Sequence, residues 1–185
     1  MKFVLFLLSA FIIFGCGENK VKPSVNPSLQ VAKLPAQESW NDKVIFSDSG
    51  KTRAILYSGH IRTYDDPPET LLDSSLKVEF FNLKEEKTTV LTALRGRVND
   101  VTKNLYAIDS VVAVSDSGVT LQTQELMWRN KDKKIVSDKF VTIISPKEKI
   151  QGYGFESDQS LRNYTIYNIT YITRLDTVKQ NPSKK

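Results

Sequence analysis

The side chains that could carry chemistry are few. The chain has one histidine, His60, and one cysteine, Cys16, so neither a His/Cys metal cluster nor a disulfide can be assembled. His60 lies in Tyr57-Ser-Gly-His-Ile-Arg62, a strand-like run in which an imidazole at the rim is the plain reading and a catalytic one the alternative. Asp109 and Asp138 hold the same place in a repeated pattern, and paired carboxylates are what a hydrolase would need. No base or oxyanion donor accompanies them, and recurrence in register points to turns or strand ends. No catalytic residue, metal or cofactor is therefore expected. Twenty-six Lys and Arg against 21 Asp and Glu give a net charge of +5, with the signs interspersed. Without a basic stripe interleaved with aromatics, nucleic acid is not an expected partner, although anionic lipid or sugar phosphate remains compatible.

The elements that must position these residues are announced by the repeat. Asp109 and Asp138, Val112 and Val141, Val114 and Ile143, Leu121 and Ile150, and Leu126 and Phe155 are each separated by 29 positions. A fainter copy, Leu91-Thr-Ala93, precedes Leu121-Gln-Thr123 by 30. Inside each copy apolar and polar residues alternate, the period of a strand with one dry face. A unit of two strands and two turns cannot bury that face alone, so copies must stack or pair.

Residues 1–15 place Lys2 before an apolar run that ends in Ile13-Phe14-Gly15-Cys16. The run is short for a membrane span and resembles a lipoprotein signal peptide, with Cys16 as the lipidated first residue of the mature chain. An uncleaved anchor is the alternative, and both export the body attached to a membrane. Phe14 departs from the small or β-branched residue usual at its place. Residues 16–38 read as the lipidated Cys and a flexible linker. Within it Gly17 to Pro35, at about 3 Å per residue, reaches up to roughly 60 Å.

The body, residues 39–174, reads as all-β. Asp48-Ser-Gly50 and Asp116-Ser-Gly118 are turn signals, and Asp65-Asp-Pro-Pro68 is a sharp loop. Leu76 to Leu83 is expected to pair with Thr88 to Ala93. Tyr164 to Ile172 is the longest β-branched and aromatic run, before a polar tail at 175–185. The sequons Asn163-Tyr-Thr165 and Asn168-Ile-Thr170 are strand sequence that happens to match. Two arrangements of the apolar row stay open: a closed sandwich core, or a slot between sheets with one side free. Gly152 and Gly154, alternating inside a strand, suggest a bulge or the close approach of a ligand or second backbone. The run from Tyr164 would be an exposed edge unless a partner adds a strand there.

Leu121-x-Thr123-x-x-Leu126-x-Trp128, then Ile135-x-Ser-Asp138-x-x-Val141-x-Ile143, then Ile150-x-Gly152-x-Gly154-Phe155-x-x-Asp158-x-x-Leu161-x-x-Tyr164-x-Ile166 resembles the C-terminal half of the LptC family. That family is the membrane-attached periplasmic component of lipopolysaccharide export. The resemblance covers about residues 40 to 172 and is strongest over 105–172. It implies an open β-jellyroll of two antiparallel sheets, with lipid A acyl chains in a V-shaped trough. It also implies end-to-end joining of like domains and no catalysis, the energy coming from an ATP-binding cassette transporter in the inner membrane.

On that resemblance the trough would be lined by Ile55, Tyr57, Val78, Phe80, Leu91, Val112, Val114, Leu121, Trp128, Val141, Ile143 and Ile150. Val44 and Phe46 would lie on the edge that meets the transporter. Gly152, Tyr164, Ile166, Ile169 and Tyr171 would belong to the edge that accepts an LptA-like bridge protein. The lipobox departs from the transmembrane helix of the best-known members, and Gly17 is not the aspartate that retains lipoproteins at the inner membrane. Attachment is expected at the inner membrane, with the outer as alternative. The competing readings are a closed envelope scaffold that only joins partners by its edges, and an LptA-like bridge subunit.

Overall fold

The computed structural model describes residues 34–174, and all of its regular structure is β. The signal peptide, Cys16, the linker as far as residue 33 and the tail 175–185 lie outside the described residues. Ten strands follow one another: β1 (Gln37–Asp48), β2 (Lys51–Asp65), β3 (Pro68–Phe81), β4 (Lys87–Ala93), β5 (Arg95–Asn99), β6 (Leu105–Ser115), β7 (Thr120–Arg129), β8 (Lys134–Ile144), β9 (Glu148–Ser157) and β10 (Tyr164–Arg174). Tight turns join them because the sequence places residues that tolerate positive φ there. Ser49 and Gly50 both adopt it (φ 52 and 76), as a two-residue hairpin requires. Pro68 opens β3, a position where a strand needs no donor from it.

The strands form one antiparallel sheet in the order β1-β2-β3-β4-β6-β7-β8-β9-β10, with β5 continuing the line of β4 and pairing β3 and β6. The two layers of the jellyroll therefore belong to a single hydrogen-bonded path. What divides them is a line of irregularities crossing the strands from β1 to β9 at the same level. It runs through Asn41, Gly59, Ser74 and Ser75, Leu94, Asp109 and Ser110, then Gln124 and Glu125, Asp138 and Lys139, and Gly154. Asn41, Ser74, Ser75, Asp109, Ser110 and Gly154 have positive φ. Asn, Asp and Gly are the types that visit this region at least cost.

Across this crease the inward residues change step in a regular way. The step is three in β2 (Ser58 to Ile61), between β4 and β5 (Ala93 to Gly96), in β7 (Thr123 to Leu126) and in β9 (Gly152 to Phe155). It is four in β3 (Leu72 to Leu76), β6 (Ala107 to Val111) and β8 (Ser137 to Val141). Backbone groups displaced from the ladder find other partners. Ser58 Oγ donates to the Asp73 carbonyl (2.8 Å), Thr123 Oγ1 to that of Phe140 (2.9 Å) and Ser137 Oγ to that of Glu125 (2.7 Å). Buried hydroxyls thus satisfy carbonyls that the bulges would leave unpaired.

Contacts between the layers join the two ends of the strands. Phe46 and Phe80, from the end of the sheet that carries the 49–50 and 82–86 turns, pack on Trp128 from the opposite end. Thr89 Oγ1 donates to the Gln159 carbonyl (2.6 Å), and Arg162 Nη2 to Asp116 Oδ2 (2.8 Å). The sheet is folded over along its crease with the apolar face inside. The crease is the spine, the two rows of turns meet on the opposite side, and β1 and β10 are the open ends. Leu56, Val78, Phe80, Ile135 and Val141 are fully buried between the layers.

The crease can be tested through its left-handed residues. Replacing Asp109 and Ser110 together by Val is expected to cost about 1–2 kcal/mol per position, read as a fall in Tm. Replacing both by Gly retains the fold with a far smaller loss, although it removes the exposed Arg95–Asp109 ion pair as well. At Gly152 an added methyl would overlap the Asn168 carbonyl of β10 and come within 2.8 Å of Ile166 Cγ2. Gly152→Ala is therefore expected to loosen β10, seen as faster amide exchange over 164–174 with β6–β8 unchanged.

Candidate functional site

Trp128 organises the interior near the β1 end. Its ring meets Phe46 edge-on (centroids 5.4 Å apart, 82°) and Phe80 at a tilt (5.8 Å, 57°), geometries that aromatic pairs favour. Because β1 is hydrogen-bonded on one side only, Val44 and Phe46 stay half-buried where the equivalent residues of central strands are sealed. Beneath them lies a cavity of about 300 Å³. Val44, Ile45, Phe46, Val98 and Trp128 supply its apolar lining, and the polar rim includes Arg53, Asp100, Lys103 and Lys133.

The rim is ordered by local bonds. Thr70 Oγ1 donates to Asp100 Oδ2 (2.7 Å), and Lys103 Nζ to Asp100 Oδ1 (3.1 Å). Lys133 Nζ donates to Asn130 Oδ1 (2.7 Å) and stands 5.6 Å from the centroid of the Trp128 ring. An aromatic and aliphatic floor under a mostly cationic rim suits an amphiphile with an acidic head. Further along the spine the gap between the rows of turns is shut by residues 158–163. Leu161 is buried there, and Asp158 accepts from the Ser160 and Arg162 N–H groups and from Asn163 Nδ2. Burial pushes the Asp158 carboxyl up, but these hydrogen bonds outweigh it and hold the group below its usual range.

The residues expected to line a trough divide by face. Val78, Phe80, Leu91, Leu121, Trp128, Val141, Ile143 and Ile150 point inward and are buried together. Ile55, Tyr57, Val112 and Val114 point outward, which corrects the expected parity. In β6 the cause is turn length. The β6–β7 hairpin closes through Ser115 N–H donating to the Val119 carbonyl, the β8–β9 hairpin through Ser145 N–H donating to that of Glu148, one residue shorter. Upstream of the turn the true spacing is therefore 30 (Val111 with Val141, Ala113 with Ile143), and only downstream is it 29. A slip of one residue puts a side chain on the other face. In β2, Ala54 and Leu56 face inward, and Tyr57 lies outside with Lys77 Nζ 5.5 Å from its ring centroid.

On the edges, Val44, Phe46, Tyr164 and Ile166 pack partly against the core, and burial raises the Tyr164 phenol above its usual range. Ile169 and Tyr171 of β10 are half exposed, beside Tyr167 and Ile172. Gly152 is not on a free edge: it pairs with Ile169, and the close approach it permits is that of β10. Asp109 and Asp138 sit on the crease. Arg95 Nε donates to Asp109 Oδ2 (2.7 Å), and Lys139 beside Asp138 holds that carboxyl below its usual range. The cavity also uses residues that sequence patterning left aside. Arg53, Val98, Lys103 and Lys133 lie in polar, turn-proximal stretches whose convergence is visible only after the sheet folds over.

The sequence profile of the family described as "Lipopolysaccharide-assembly, LptC-related" matches residues 4–172, the β body included. No curated protein matches the chain. With a creased all-β sheet, two unpaired edge strands and a profile match over most of its length, the chain belongs to the LptC-related family of lipopolysaccharide-assembly proteins.

Proposed function

We propose that this chain is a membrane-tethered periplasmic station of the lipopolysaccharide export bridge. It takes acyl chains beneath β1 from inner-membrane transporter subunits and passes them toward an LptA-like protein joined at β10. The observation that carries this reading is the cavity under β1, where half-buried Val44 and Phe46 face Trp128 and Val98. Each CH₂ moved from water into such a site is worth about 0.8 kcal/mol, so affinity for acyl chains needs no polar specificity. Support for edge-to-edge assembly comes from β1 and β10, which have a strand on one side only. Exposed apolar residues along β10 are the kind that strand addition covers. Acylation of Cys16, with a linker long enough to clear the head groups, would keep the body at the membrane while it docks sideways.

A specific observation favours a second reading. Val141 and Ile143 are buried to within 1% by the chain's own side chains, as a closed scaffold would have them. A photo-crosslinker series in cells separates the two. At Phe46 it is expected to give a lipopolysaccharide adduct, and at outward-facing Tyr57 none. Absence of adduct at Phe46, together with protein capture from Ile169 on the β10 edge, would favour the scaffold.

A further inference from the structure

Among the described residues, five buried side-chain nitrogen or oxygen atoms lack a hydrogen-bond partner: Arg53 Nε and Nη1, Arg62 Nε, Trp128 Nε1 and Gln159 Nε2. All five are donors. Three belong to Arg53 and Trp128, which share one cavity, and a fourth to Gln159, which is bonded to Arg53. Arg53 and Trp128 line the cavity under β1, and Gln159, 8% exposed, accepts from Arg53 Nη2 through its Oε1 (3.3 Å). Arg53 has five N–H bonds to give and makes no ion pair with any described carboxylate. The one acid in the lining, Asp100, is engaged by Thr70 and Lys103. The unmet demand of this region is thus one-sided: it lacks acceptors and it lacks negative charge.

We propose that the cavity under β1 is an oxyanion site. Arg53, held from beside the cavity by Gln159 and with Trp128 as a further donor, binds a phosphate or carboxylate whose apolar portion lies along Val44, Phe46 and Val98. Buried donors are costly without acceptors, and a buried cation more so without an anion. Water could occupy the cavity, which has the volume of on the order of ten molecules at 30 Å³ each, and would satisfy the N–H groups. It would leave the charge of Arg53 uncompensated. An oxyanion answers both needs, since it brings acceptors and negative charge to the same donors. The lipid part of this assignment rests on the function proposed above; the oxyanion part rests on the orphaned donors alone.

The test uses the full chain in detergent with Trp40, exposed on β1, replaced by Phe, so that fluorescence reports Trp128. The probes are bisphosphorylated lipid A, the same lipid after removal of its phosphates, and inorganic phosphate. Arg53→Met is expected to weaken binding of the phosphorylated lipid about tenfold or more, the loss of one charge-assisted pair, and to change binding of the dephosphorylated lipid less than twofold. Gln159→Glu, which sets a carboxylate beside Arg53, is expected to raise Tm and to weaken the phosphorylated lipid likewise. Equal binding of both lipids by wild type, unchanged in Arg53→Met, would overturn the oxyanion site and leave lipid transport standing. If wild type binds neither lipid but phosphate raises its Tm in an Arg53-dependent way, the oxyanion site stands and the transport reading falls. No response to any of the three probes overturns both.

Discussion

A broad sheet with one apolar face can hide that face only by meeting another surface, and here the other surface is its own far end. The cost falls on the backbone. Bending strands at one level takes N–H and C=O groups out of the ladder, and each must find another partner or remain unsatisfied in the interior. The chain meets this demand with short polar residues at the bend: Asp109 and Ser110, Ser74 and Ser75, and Asn41 adopt left-handed backbone. Inward hydroxyls from Ser58, Thr123 and Ser137 reach the exposed carbonyls. Everything else follows the crease. It sets which end of each strand faces which, brings Phe46 and Phe80 onto Trp128, and leaves the two sheet edges at the ends of a tunnel-like fold.

The all-β fold was legible because alternation with frequent turn residues survives the local irregularities. The repeat was legible as well, and the faint copy at Leu91 and Ala93 does occupy inward positions like those of Leu121 and Thr123. The face of individual residues was harder to read. One extra residue in the turn after Ser115 displaces Val112 and Val114 from the row that holds Val141 and Ile143. In β2, apolar residues occupy both faces, so alternation alone cannot choose between Ala54 with Leu56 and Ile55 with Tyr57. The first part of β3 and all of β5 carry few apolar residues and gave no signal, yet Val98 of β5 lines the cavity. Nor does any local pattern bring Arg53 to Gln159 across 106 positions; only the folding-over of the sheet does.

The interior of this family member is not evenly open. Away from β1 the inward residues of the central strands are buried, with the 158–163 turn drawn over the gap and Leu161 pressed inside. Near β1 the absence of a neighbouring strand leaves Val44 and Phe46 half-buried over the cavity. Under the proposed function that asymmetry has a direction. Lipid would meet the end that holds the cavity first, and further advance would need the layers to part, with partners at the edges stabilising the parted form. Edge pairing and lipid occupancy would then be coupled, each favouring the same opened state of the sheet.

Amide hydrogen exchange on the full chain, with and without lipopolysaccharide, addresses the site most directly. Lipid is expected to slow exchange over residues 44–47 and in the turns at 100–104 and 130–133, with little change at 158–163. Protection confined to 158–163 or to the outer faces of the strands, or no protection anywhere, would contradict a lipid site under β1.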